Sequence, residues 1–169
     1  MKGNGNIQLS GCPMWGNIKT LAAAGGGSES INLFQIRGSV DILALRAEVT
    51  TALSAGPLTA ALFELWDSTA PVALTLNTGV LTSLAIGSIF SKNDIAGVIM
   101  NVLSPAVGAM AEHATQADIL KAFRVIQKTA ANTYLRLTYA NGGGGAATGG
   151  FRPFVIWRPV SQDGLVIVV

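Results

Sequence analysis

Residues 133–140 place Leu135, Leu137 and Tyr139 on one side of an extended chain, and Tyr134, Arg136 and Thr138 on the other. That period of two marks a strand with one buried face. It recurs over residues 40–53, where Leu43, Leu45, Ala47 and Val49 oppose Ile42, Ala44, Arg46 and Glu48, and Gly38 just before suits a bulge or sharp bend. Segments rich in β-branched and aromatic residues, bounded by Gly, Pro, Asn or Asp, predict further strands at 32–37, 59–66, 72–76, 82–90, 96–103, 123–128 and 151–159. Helical signal is thin. Only 107–123, with Ala109, Met110, Ala111, Ala114, Ala117, Ile119 and Leu120, supports a short helix, with Thr115 and Asp118 as cap residues. Strands spaced by about 8 to 14 residues, without the crossover helices that parallel pairing needs, predict an all-β fold. The expectation is a single antiparallel β-sandwich or jelly-roll-like domain over residues 31–169.

Residues 1–30 differ from the rest. They hold Gly3, Gly5, Gly11, Gly16, Gly25, Gly26 and Gly27, seven of the chain's 20 glycines, and 22–30 reads as a linker. Yet Ile7, Leu9, Met14, Trp15, Ile18 and Leu21 are anchors that a pure linker does not need. They predict an extended N-terminal arm that orders against a neighbour; the alternative is a terminus packed on its own domain. The stretch 165–169, Leu-Val-Ile-Val-Val, must also be paired, within its own sheet or on a neighbour's. Pro153 and Pro159 remove ladder donors from 151–159, which places that strand at an edge or gives it a bulge. Arg152 and Arg158 are then available to an acidic partner or serve as solvated edge charges. Met14, Trp15, Ile18, Leu21, Arg152, Arg158 and Val168 are the candidate interface residues.

Composition says what kind of surface these elements carry. Half of the 169 residues are hydrophobic and only 12% are charged, 11 Lys or Arg and 9 Asp or Glu, against about 25% in an average globular chain. Spread over the roughly 7,900 Å² expected for this mass, that is about one charge per 390 Å², half the usual density. An obligate oligomer or a subunit of a larger shell would cover such a surface. The net charge of +2 is scattered and forms no basic stripe, so no nucleic-acid partner is expected. The uncharged runs 68–91 and 95–111 are broken by Pro71, Asn77, Gly79, Gly87, Gly97, Asn101, Pro105 and Gly108. They do not read as membrane spans. The first residues, Met-Lys-Gly-Asn-Gly-Asn, lack the apolar core of a secretion signal.

Residues that could carry chemistry are few. One Cys excludes an internal disulfide, and one His beside it excludes the common zinc sites. His113 with Glu112 and Asp118 offers at best a weak oxygen-type metal site, and solvated helix-end residues are the plainer reading. Cys12 precedes Pro13 in the arm, where no fixed base would activate it. Asp41 and Glu48 stand seven apart in one strand and are expected on opposite faces. Phe63 and Trp66, and Phe151, Phe154 and Trp157, are expected to pack in the core; an exposed row would instead suit sugar or base stacking. The glycine run 141–150 reads as a flexible loop rather than a phosphate cradle, because no Lys-Ser/Thr or helix follows it. No catalytic residue, small-molecule substrate, cofactor or metal is expected.

The stretch 32–43 (NLFQIRGSVDIL), followed by 46–53 (RAEVTTAL), resembles small structural proteins of tailed-bacteriophage virions. In those a Leu-Phe-x-Ile/Val-x-Gly-x-Val opening leads to x-Glu/Val-Val-Thr-Thr-x-Leu and a single β-sandwich. The likeness covers residues 31–100 in pattern, and the longer glycine-rich arm departs from it. It implies a head decoration (cement) protein or a fibre-base protein, mounted as trimers on the capsid surface. The implied partner is the major capsid protein of the same virion, and no catalytic residues carry over. The expectation from another class is a receptor- or carbohydrate-binding module, with Trp157 or Trp66 open to solvent.

Overall fold

The computed structural model describes residues 11–54, 56–77, 79–92, 100–103 and 122–169, and among these every regular element is a strand. In chain order these are β1 (Cys12–Trp15), β2 (Lys19–Thr20), β3 (Ser28–Arg37), β4 (Ser39–Thr51), β5 (Leu58–Trp66) and β6 (Pro71–Ala73). Then follow β7 (Ile89–Lys92), β8 (Asn101–Leu103), β9 (Phe123–Ile126), β10 (Thr133–Asn141), β11 (Gly150–Pro159) and β12 (Leu165–Val168). They form two antiparallel sheets packed as a β-sandwich. The first has the order β1-β11-β4-β7-β8, with β2 also on β11 and β9 also on β4; the second runs β12-β3-β10-β5-β6.

The alternation that marked the strands now fills the interior. Leu135, Leu137 and Tyr139 of β10 are buried, and so are Leu45, Ala47 and Val49 of β4. Phe63 of the second sheet lies 6.0 Å, centroid to centroid, from Phe90 of the first, which in turn meets Phe151 edge-on at 5.4 Å. Such offset and edge-to-face aromatic pairs add to plain area burial and tie the two layers together. Phe63, Phe151 and Trp157, the last 7% exposed, lie in the core as expected, whereas Trp66 and Phe154, expected there too, lie on the outer faces of their sheets.

One bulge changes a face. Trp157 pairs with Ile42 but Ile156 pairs with Ala44, so Leu43 is the extra residue in β4. An inserted residue reverses the alternation beyond it. Asp41 and Glu48, seven apart, therefore lie on the same outer face, opposite Arg158 and Arg152, and not on opposite faces. The predicted strand at 82–90 is also corrected. Ser83 (φ 55°) and Gly87 (φ 83°) turn the backbone there, and only β7 at its end is extended. Leu81 and Leu84 are buried from this turning segment, so its apolar content serves the core without a ladder. Of 96–103 the described part contains β8, and the helix expected at 107–123 lies outside the described residues except for its last two positions, where Phe123 opens β9.

The described part of the predicted arm, residues 11–30, is built into the sandwich. β1 pairs with β11 from Cys12↔Trp157 to Trp15↔Phe154, and β2 pairs with it from Lys19↔Phe151 to Thr20↔Gly150. β11 is thus an interior strand and not the edge strand that was one expectation; the other, a bulge, is met in its ladder with β4, where the register shifts at Gly150/Phe151 and Ile156/Trp157. The Pro153 carbonyl accepts from the Gly16 N–H at 2.8 Å, which turns the donorless side of Pro153 toward the break between β1 and β2. Gly16 is needed there, since a Cβ would stand 2.6 Å from the Pro153 ring.

Farther along, Leu21 and Ala23 are buried in the core. The Glu29 carboxylate accepts the Ala22 N–H at 2.9 Å, the Ala23 N–H at 3.2 Å and the Tyr139 hydroxyl. Burial, then the Glu29 carboxylate, push the Tyr139 hydroxyl up to about 12. Asn141, itself buried, donates to the carbonyls of Ala23 and Gly145 at 2.8 Å each. The glycine run 141–150 therefore meets the run 25–27 backbone to backbone: Gly26 N–H donates to the Asn141 carbonyl at 2.7 Å, and a Cβ on Gly25 would collide with the carbonyl of Gly143. At the open side of the sandwich Lys19 Nζ donates to the Val169 carbonyl at 2.5 Å, joining the two sheets. The apolar stretch at 165–169 is paired within its own sheet, β12 lying on β3.

Candidate interaction face

The outer side of the first sheet gathers most of the predicted interface residues. In β1, Met14 packs toward the core and Trp15 points away from it, 39% exposed. Trp15 covers Phe154 of β11 with ring centroids 4.6 Å apart. Arg46 of β4 is the cross-strand partner of Phe154, and its guanidinium carbon lies 4.4 Å from that ring and 6.0 Å from Trp15. Arg152 lies 5.3 Å from the Trp15 ring centroid and donates to the Gly16 carbonyl at 3.1 Å. An indole flanked by two guanidinium groups uses the negative face of its ring to hold positive charge near solvent. Ile18, 62% exposed, continues the apolar part of the patch between β1 and β2.

Along the same face Asp41, 5% exposed, sits between two more arginines. It accepts from Arg124 Nε at 2.9 Å, and from Arg158 Nε at 2.9 Å and Nη2 at 2.8 Å. The Arg124 hydrogen bond, ahead of Arg158, holds the Asp41 carboxyl below the usual carboxylate range although burial opposes it. With Glu48 opposite Arg152, the described residues of this face carry four guanidinium groups (Arg46, Arg124, Arg152, Arg158) against two carboxylates (Asp41, Glu48). These charges stand beside an exposed indole.

Four of the seven predicted residues lie on this side, Trp15, Ile18, Arg152 and Arg158, whereas Met14 lies beneath it on the inner face, against the core. The other two lie elsewhere. Leu21 is 2% exposed and belongs to the core, and Val168 lies half-buried in β12, opposite Phe34 in the second sheet. Arg46, Phe154 and Arg124 were missed as members. Their place follows from register, because Phe154 comes to lie on the outer face between Arg46 and Trp15 only when β1 and β4 flank β11. Cys12 is a free, exposed thiol in β1. His113, Glu112 and Asp118 lie outside the described residues. No family model, curated protein or solved structure matches the chain.

Proposed function

We propose that this chain is a non-enzymatic virion structural protein, a capsid decoration or cement subunit that trimerises and stabilises contacts between major capsid proteins. The observation that carries the reading is the exposed Trp15, clamped by Arg46 and Arg152 over Phe154. Trp and Arg dominate the few residues that supply most binding energy at protein interfaces, and they do so where packing holds them in place beforehand. The resemblance to phage virion proteins falls on the β3–β4 corner, where Gly38 (φ 57°) carries the chain from one sheet to the other. That corner supports the reading as scaffold, and the outer face of the first sheet is the surface that binds. The partner is the major capsid protein of the same virion, with about 800 Å² covered on each side. Nucleic acid, membrane, cofactor and small-molecule substrate have no part in this function.

Substituting Trp15→Ala is expected to cost about 2 kcal/mol or more of association energy, roughly a thirtyfold loss of affinity. Capsid occupancy measured by co-sedimentation should fall, and with it the heat resistance of the particle, by more than the modest drop in the subunit's own melting temperature that uncovering Phe154 brings. Unchanged occupancy in that variant would overturn the assignment of this face.

A further inference from the structure

The second sheet has an outer face of different chemistry. Its register sets side chains in three rows across β3, β10 and β5: Gln35, Tyr134 and Trp66; then Asn32, Arg136 and Glu64; then Ser30, Thr138 and Leu62. The middle row holds a self-compensated ion pair, Arg136 Nε donating to Glu64. Thr138 Oγ1 donates to the same Glu64 oxygen at 2.6 Å and shares a hydrogen bond with Ser30 Oγ at 2.9 Å. Gln35 Nε2 donates to Asn132 Oδ1 at 2.9 Å. The Arg136 guanidinium lies 4.1 Å from the Trp66 ring centroid and covers one of its faces. Trp66 and Tyr134 are cross-strand neighbours, and both rings are half-buried, each keeping part of its surface in solvent. Charge elsewhere is marginal: Arg37 stands at the end of β3, and Lys128 is paired with Asp67 at 2.9 Å.

We infer that this face binds a neutral oligosaccharide. A pyranose ring has an apolar C–H face and a rim of hydroxyls. Adjacent aromatic rings match the first, and amide and hydroxyl groups already fixed in a network match the second. A polyanion would instead need uncompensated cations, and here the central arginine is spent on Glu64. The glycan site therefore rests on Trp66 and Tyr134, whereas Trp157 is in the core. The glycine run is not part of it, being packed on residues 23–27. This inference stands apart from the capsid reading, because it uses the opposite sheet.

The test is a glycan array followed by calorimetry on the hit, using the full chain and the variants Trp66→Ala, Tyr134→Ala and Asn32→Ala. Neutral oligosaccharides should bind, with about a tenfold or greater loss for either aromatic variant and a smaller loss for the exposed Asn32→Ala, which also reports if Trp66→Ala fails to fold. Ile126→Ala, an exposed position of β9 on the other sheet, should bind glycan as the parent does. Binding of acidic glycans alone, undiminished binding by both aromatic variants, or no glycan bound at all would each overturn the inference.

Discussion

Asp41 shows how a single carboxylate ties stability to pH. Its folded pKa lies below the ordinary value of 3.8, with the Arg124 hydrogen bond as the chief cause. The folded chain therefore releases this proton more readily than the unfolded chain. Ionised Asp41 adds stability at neutral pH, and the gain is lost as pH falls from about 4 through the lower folded value. Asp67 acts in the same direction at the surface, where the Ala70 N–H, then Lys128, lower its carboxyl to about 2. Asp41→Ala is expected to cost about 1 to 2 kcal/mol at pH 7, at the lower end for charged hydrogen bonds because the side chains of Arg124 and Arg158 are 55% and 34% exposed. Urea titrations of variant and parent at neutral pH and near pH 2 should show that difference shrinking in acid. A difference that stays constant across the range would mean the carboxylate charge is not what stabilises.

At the scale of elements, the interlocked glycine runs give a paired prediction. A methyl group on Gly25 has nowhere to go except into the Gly143 carbonyl, whereas one on Gly144 meets nothing within 4 Å. Gly25→Ala should lower stability by about 1 to 3 kcal/mol, and Gly144→Ala should leave it unchanged or slightly higher, read from denaturant midpoints. Equal effects would mean that the two runs are not in contact in solution. This contact also shows where sequence reading stops. Strands with a buried face were legible because burial imposes period two: 133–140 became Thr133–Asn141, 59–66 became Leu58–Trp66 and 151–159 became Gly150–Pro159. β1 and β2 were not, because four and two residues interrupted by Gly16 and carrying Pro13 give no periodic signal. The candidate face was half legible for a related reason. Trp15 and Arg152 stand out by residue type, but only long-range register brings Arg46 and Phe154 beneath them, and the Leu43 bulge puts Asp41 there too. The glycine runs looked loose because composition reports backbone freedom and not what the backbone meets.

For the whole molecule, the scarcity of charge has a location. The edge of the second sheet beyond β5 is formed by β6 and the segment up to Leu81, whose N–H donates to the Leu58 carbonyl at 2.8 Å. Along it Val72, Leu76 and Val80 are exposed, and Ile86 follows. No charged residue occurs from Ser68 to Ser91. Charged side chains commonly guard such edges against pairing with another copy, and this one has none. Light scattering on purified protein is expected to give a trimer, and the double substitution Val72→Lys and Val80→Lys should reduce its mass without lowering the melting temperature of the subunit. A parent protein that is monomeric at micromolar concentration would sink the assembly reading; a trimer that survives both lysines would move the sister contact elsewhere. The partnership of β1 with β11 bears on how the molecule comes into being. Gly16 and Arg152 are 136 residues apart, so at ordinary elongation rates Trp15 emerges from the ribosome about ten seconds before the strand that shelters its neighbours exists. Through that interval the nascent chain displays an unmatched aromatic segment, and its safe passage depends on how quickly continued translation delivers the missing strand.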